Sequence, residues 1–407
     1  MRRITTTALT IAALSLGLVP SGQALAATCQ NTANFDRWLA DFKKEALANG
    51  IQPRVLAAAA PHMKFEQRIV NRDRAQGVFN QSFLKFSDRM IANPRLPNGL
   101  AQIKSHASLF AQVEKQYGVP PAILTAFWGL ESDFGRNTGN SNVFSAITTL
   151  AYDCRRPDYF RPQLMDALRI VQRGDLTVDE MMGGDWAGEL GAMQFTASDY
   201  YKNAVDYDGD GKRNLVKSTP DTVASAANFL KNLGWKRGEP WLQEVRLTKD
   251  LPWDQADLTI QLPRSQWVAW GVRAAHGALP ADGMKTALLL PMGRRGPAFL
   301  AYENFQVLQG WNSSMVYVTT VAYFGTRLAG APPVGRGDPD IEVMQPQQVM
   351  ELQRLLTRMG NDIGDADGKV GAKTRAAIKQ AQMKVGLPAD SYPTTELLER
   401  LRTTASR

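Results

Sequence analysis

A carboxylate set within an apolar helical stripe is the strongest constraint in this sequence. Val119 to Gly135 reads VPPAILTAFWGLESDFG, entered through Pro120-Pro121, with Pro121 suited to a first helical turn, and stopped at Gly135. Leu124, Phe127 and Trp128 follow the i, i+3, i+4 spacing of one helix face, and the next member of that stripe is Glu131. A desolvated carboxyl has a raised pKa and keeps its proton near neutral pH, as a general acid must. A Glu at a helix end paired with Arg136 is the competing reading of the same residues. Asp133 lies about 200° around the helix from Glu131 and points away. The two-carboxylate scheme of glycoside hydrolysis therefore has no local partner on this helix.

The rest of the chain frames that helix. Apolar residues recur at helical spacing from Phe35 to about Leu233, with Leu109, Val113 and Tyr117 just ahead of the key segment. Alternating residues predict short strands at Glu244 to Leu247 and at Leu258 to Leu262, and helical spacing returns from Asn312 to Leu328. Ala329 to Pro339 is rich in Pro and Gly and marks a domain boundary. Beyond it, Val349, Leu352, Leu355, Leu356 and Met359 predict an amphipathic helix ending at Gly360, and Thr374 to about Val385 a second one. The expected organisation is a leader over 1–26, a catalytic unit over 27–328, a linker over 329–341 and a small helical module over 342–403.

Arg2-Arg3, the apolar run from Ala8 to Val19 and the Ala24-Leu25-Ala26 site predict a cleaved secretory signal, with no transmembrane segment in the mature chain. An exported chain meets an oxidising compartment, so its two cysteines, Cys29 and Cys154, are expected to form a disulfide. Thr28 is a poor residue ahead of a lipidated cysteine, which disfavours anchoring at Cys29. The net charge of +8 is spread without a Lys/Arg block, a weak bias towards anionic partners and no sign of nucleic-acid binding. Three histidines without HExxH or CxxC spacing argue against a zinc hydrolase, and no GxSxG elbow or Walker loop is present.

DYDGDGKRN, from Asp206, carries a second chemical signal. Asp206, Asp208 and Asp210 alternate ahead of Gly211, as in the first half of an EF-hand loop, with the Lys212 carbonyl as a further oxygen. Lys217 falls at the usual twelfth position and cannot ligate, which leaves Asp221 to close a structural Ca2+ site. The alternative is an acidic turn with Asp221 capping a helix. In GELGAMQFTASDYY, Gly191, Met193, Gln194 and Phe195 suit either a sugar groove or simple packing.

Together, FWGLESDFGRNTG, CRRPDYF, GELGAMQFTASDY, AVDYDGDGKRNL and AYENFQVLQGWNSSMVY resemble the membrane-bound lytic murein transglycosylase B family of bacterial cell-wall enzymes, over roughly Phe35 to Leu328. VMELQRLLTRMG, DADGKVGAKTRAAIKQAQ and VGLPAD resemble the three-helix peptidoglycan-binding domain, with Ala381 where an aromatic is usual and Ser391 where glycine is common. The resemblance implies a mainly α, lysozyme-like (α+β) core with a small β-containing subdomain, followed by a three-helix module. It implies cleavage between N-acetylmuramic acid and N-acetylglucosamine with a 1,6-anhydro product, Glu131 acting as both acid and base. A hydrolytic muramidase and a non-catalytic cell-wall binder are the alternatives. By matching position, Gln194, Asn312 and Tyr317 would hold the sugar, Tyr302 and Phe195 would line the groove, and Arg155 and Arg156 would meet substrate carboxylates. Trp311 stands where the family often has Tyr, which implies a stacking contact. The expected partner is the glycan strand of peptidoglycan, met by a periplasmic monomer with no organic cofactor.

Overall fold

A computed structural model describes Asn31, residues 34–75, 81–92 and 94–405. The expected leader and Cys29 lie outside the described residues. Cys154 is disulfide-bonded. No described helix is long and apolar enough to cross a membrane.

The main core is helical, and the Pro121–Ser132 helix runs through it with Ile123, Leu124, Ala126 and Phe127 almost fully buried. Helices Ala107–Tyr117, Val143–Tyr152, Pro157–Arg173, Thr219–Asn232 and Met315–Leu328 surround it, each contributing buried apolar side chains to the same cluster. The central helix needs close neighbours, and Gly129 admits them. A Cβ there would lie 2.9 Å from the Phe134 ring and 3.0 Å from Phe324. The helix ends at Ser132, with Asp133 and Phe134 in the left-handed region at φ 52° and 62°. The turn returns two amides to the helix, Asp133 N–H to Gly129 O and Phe134 N–H to Trp128 O, both at 3.1 Å.

Five short antiparallel strands form the β subdomain: β1 Leu242–Leu247, β2 Leu262–Pro263, β3 Val272–Ala274, β4 Lys285–Leu289 and β5 Ala298–Ala301, in the order β2-β4-β5-β1-β3. The predicted strand over 244–247 is found inside β1. That over 258–262 is mostly turn, and its last residue alone enters β2. β4 and β5 separate two cores by the period of two expected of a strand. Leu289, Phe299 and Ala301 face the helical core, whereas Leu288, Ala298 and Leu300 face a satellite core built on Trp267.

The Pro/Gly-rich segment after Leu328 has no regular structure, yet it is fastened. Val334 donates its N–H to Tyr323 Oη at 3.1 Å, Arg336 meets both oxygens of Asp88 at 2.9 Å, and Asp338 pairs with Arg295 at 2.7 Å. Helices Pro346–Arg358, Ala372–Lys384 and Thr395–Ala405 then enclose a core of their own around Leu352, Leu356, Ile378 and Leu397. This module sits on the β subdomain. Arg375 donates to Leu290 O at 2.8 Å, and Lys379 reaches Asp257 at 2.6 Å.

Both departures from the family pattern lie inside the module. Ala381 is buried in its core, and Ser391 is 4% exposed with φ 64°. The left-handed conformation explains why glycine is common at this position, since a Cβ there meets the following carbonyl. Ser391→Gly is expected to raise the stability of the module by about 1 kcal/mol, read from urea unfolding. An unchanged or lower midpoint would refute this strain.

Candidate active site

Glu131 stands one residue before the end of its helix and opens into a cleft of about 850 Å³. Two donors converge on one of its oxygens. Tyr317, in the first turn of Met315–Leu328, donates its O–H to Oε1, and Trp311 donates its indole N–H to the same atom at 3.2 Å. Oε2 has no hydrogen-bond partner among the described residues, so a proton on Glu131 belongs there, facing the cleft. Burial pushes the Glu131 carboxyl up to about 7. The bonds from Tyr317 and Trp311 act against that rise, and the nearby Asp185 adds to it. The competing reading, a Glu131–Arg136 pair, is not found; Arg136 and Arg95 pair with Asp133 instead, at 3.7 and 3.4 Å.

An aromatic stack fixes Trp311. Its ring lies on Phe127 with centroids 4.2 Å apart, while Phe195 and Phe229 close in at 5.2 Å. Trp311 thus stacks on protein rings, and it is also a hydrogen-bond donor, a role the positional match had not assigned. Phe195 is 2% exposed and supports the cleft from beneath Trp311.

The Gly-rich segment forms the opposite wall. Gly191 holds φ +74°, and a Cβ there would come within 2.2 Å of Leu215 O, so this turn closes only with glycine. Gln194 follows at φ 47°, held by amide bonds to Gly191 O at 2.8 Å and Thr138 O at 3.1 Å. Gln194, Asn312 and Glu131 line one small chamber of about 50 Å³ at the cleft floor. Asn312 spends its Oδ1 on Ser314 N–H at 2.8 Å, which leaves its amide N–H groups for a ligand.

The arginines divide. Both Arg155 and Arg156 pair with the buried Asp73, but only Arg156 lines the cleft, its guanidinium 4.9 Å from the Phe160 ring. Tyr302 is a correction. It is 1% exposed in the satellite core, where its O–H donates to Gln243 at 2.7 Å, and it does not line the cleft. The match by position does not hold in space, because β5 ends at Ala301 and the Tyr302 ring enters the satellite core.

Three further carboxyls in the cleft escaped the helix-based reading: Asp185, Glu189 and Asp199. All are pushed above their ordinary values, chiefly by burial. They stand far from Glu131 in sequence, so no periodicity links them to it.

The acidic loop assembles as expected for its first three members. Asp206, Asp208 and Asp210 place one oxygen each within 4.8 Å of one another at the surface. Asp221, expected to close the site, lies directly beneath the loop. It is fully buried, and its two oxygens accept the N–H groups of Tyr207 and Asn214 at 2.7 Å. Lys217 pairs with Glu180 at 2.8 Å.

Residues 34–326 match the family model described as Transglycosylase SLT domain, and residues 345–401 match Putative peptidoglycan binding domain. The chain belongs to the transglycosylase SLT family. It is a lytic transglycosylase, a lyase acting on peptidoglycan. Membrane-bound lytic murein transglycosylase B of Escherichia coli (strain K12) is 27% identical over 251 residues, 61% of this chain and 68% of that protein. The crystal structure of SltB3 from Pseudomonas aeruginosa in complex with NAG-anhNAM-pentapeptide superposes with a TM-score of 0.83 at 39% identity, covering 91% of this chain and 99% of that one. The Escherichia coli lytic transglycosylase Slt35, solved in complex with calcium, shares the fold at 24% identity with a TM-score of 0.61, over 71% and 92% of the two chains. The mainly helical, lysozyme-like architecture with a small sheet and C-terminal helices is thereby established.

Two titrations test this transglycosylase's carboxyl environment. Glu131 holds a folded value near 7 against an ordinary 4.5, so its ionisation opposes folding. That cost is absent below about pH 4.5 and complete above about pH 7. Glu131→Gln should therefore melt higher than wild type at about pH 8 and equal to it at about pH 4; the reverse order would contradict the buried-acid environment. Tyr317→Phe removes a bond that favours the ionised form. The alkaline limb of activity should move to higher pH, and a shift to lower pH would count against the geometry.

Proposed function

We propose that Glu131 carries the lytic reaction alone, as acid and then as base. The supporting observation is a desolvated carboxyl whose Oε1 is held by two donors and whose Oε2 faces the cleft. Protonated Oε2 gives its proton to the glycosidic oxygen between N-acetylmuramic acid and N-acetylglucosamine, and the C1–O bond breaks. The carboxylate then takes the proton of the muramoyl C6 hydroxyl as that oxygen bonds to C1, closing the 1,6-anhydro ring. One group serves both steps, as microscopic reversibility permits. Asp185, Glu189 and Asp199 also lie in the cleft, with their carboxyls raised chiefly by burial. Gln194 and Asn312 contact the sugar beside Glu131, and Arg156 meets an anionic substituent at the cleft edge.

The chain is read as exported to the periplasm, where it acts on the glycan strand, with the C-terminal module binding the same polymer. The acidic loop is read as a structural calcium site. Three exposed carboxylates that would repel one another fit a hard cation, with the Lys212 carbonyl as a further oxygen. Asp221 holds the loop in shape beneath them.

Digestion of purified peptidoglycan followed by mass spectrometry tests the central role. Glu131→Gln should release anhydro-muropeptides about a hundredfold more slowly or less, the usual scale of general acid–base catalysis. Release at the wild-type rate would refute it, and products heavier by one water would establish hydrolysis instead. Calcium should raise the melting temperature relative to a chelator, and Asp208→Asn with Asp210→Asn should abolish the difference. Equal melting of the wild type in both conditions would remove the metal site.

A further inference from the structure

Glu189 occupies the cleft wall in an unusual state for a carboxyl. Its backbone is pinned on both sides. Glu189 N–H donates to Asp185 Oδ1 at 2.9 Å, Glu189 O accepts from Asp185 N–H at 2.9 Å, and Leu190 exchanges both amide bonds with Phe195 at 2.8 and 2.9 Å. The preceding Gly188 packs so closely that a Cβ would lie 2.3 Å from Ile147 Cγ1. Its side chain, by contrast, makes no hydrogen bond and no ion pair among the described residues, while lining both the cleft and the small chamber that holds Glu131, Gln194 and Asn312. The nearby cation, Arg156, is engaged with Asp73. A carboxyl fixed in a partly dry wall without a partner opposes folding, so the wall is built to receive its partner from a ligand.

We propose that the unpartnered Glu189 side chain contacts the substrate, donating to the acetamido carbonyl of the amino sugar seated against Glu131. The inference rests on the reading of Glu131 as the acid at the scissile bond. Burial first, and then the charges of Asp185, Glu131 and Asp199, hold the Glu189 carboxyl well above its ordinary value, while Arg156 acts in the opposite sense. That direction favours the protonated carboxyl, whose O–H is a donor. Among the neutral acceptors of an N-acetylated glycan, the amide carbonyl is the strongest, and Glu189 differs from its chamber neighbours Glu131 and Asp199 in that its side chain has no hydrogen-bond partner among the described residues. Glu189 is thus a specificity residue, selecting sugars that carry the N-acetyl group, and Glu131 remains the group that transfers the proton.

The test compares wild type, Glu189→Ala and Glu189→Gln on intact peptidoglycan and on the same material chemically de-N-acetylated. Glu189→Ala should lower kcat/KM about tenfold on the intact glycan and less than about twofold on the de-N-acetylated one. Glu189→Gln restores a neutral N–H donor and should recover most of the loss. Because the carboxyl lacks a protein partner, Glu189→Ala should melt no lower than wild type, which separates a contact from a folding defect. An equal loss on both glycans, or a Gln variant as inactive as Glu131→Gln, would overturn the proposal. Should wild type release no anhydro sugar, the Glu131 reading fails by itself. The Glu189 contact is then decided by calorimetric affinity for N-acetylchitotetraose, which Glu189→Ala should weaken about tenfold and Glu189→Gln should not; unchanged affinity in Glu189→Ala would overturn it.

Discussion

Everything in the catalytic half of this structure depends on keeping one carboxyl out of water without neutralising it with a cation. Glu131 is surrounded by apolar rings and by other acids, and its protein contacts are two hydrogen-bond donors, Tyr317 and Trp311. An arginine in their place would favour the ionised form; Arg95 and Arg136 pair with Asp133 and leave Glu131 without a cation. Neutral donors instead fix the carboxyl's orientation and moderate its pKa without removing its proton at neutral pH. The aromatic stack of Phe127, Trp311, Phe195 and Phe229 is the physical support for that arrangement, because it orients the indole N–H.

The fold serves the same end. Six separate segments meet at the cleft: the stretch from Arg72 to Ala75, the central helix, the helix of Ile147, the segment from Arg156 to Gln163, the Gly-rich wall and the Trp311–Tyr317 bend. Close glycine contacts at 129, 188 and 191 let these segments approach without side chains between them. β4 and β5 then link the helical core to a satellite core, and the C-terminal module rests on that subdomain through Arg375 and Lys379. The fastened segment through Val334 and Arg336 joins the two halves without slack.

Local pattern made much of this legible. The helix and Glu131 were readable because a carboxylate broke an apolar stripe, and the three alternating Asp residues were readable because ligand spacing is a local property. The terminal helices followed from their apolar spacing, and the 258–262 segment failed because alternation alone does not distinguish a strand from a turn. The losses have a common cause. Glu189, Asp185 and Asp199 join Glu131 only through the tertiary fold, and Tyr302 was placed by matching position, which does not carry which core its ring enters. The indole donor of Trp311 was hidden for the same reason, since its direction is set by rings from three other segments.

The central claim is a statement about one proton, and it is open to direct observation. Carbon-13 NMR of protein labelled at the glutamate carboxyls, assigned by comparison with Glu131→Gln, reports the titration of Glu131 itself. The account predicts a midpoint near 7, well above that of exposed glutamates. A midpoint near the ordinary 4.5 would mean that Glu131 is ionised at neutral pH, and the single acid and base mechanism would fail.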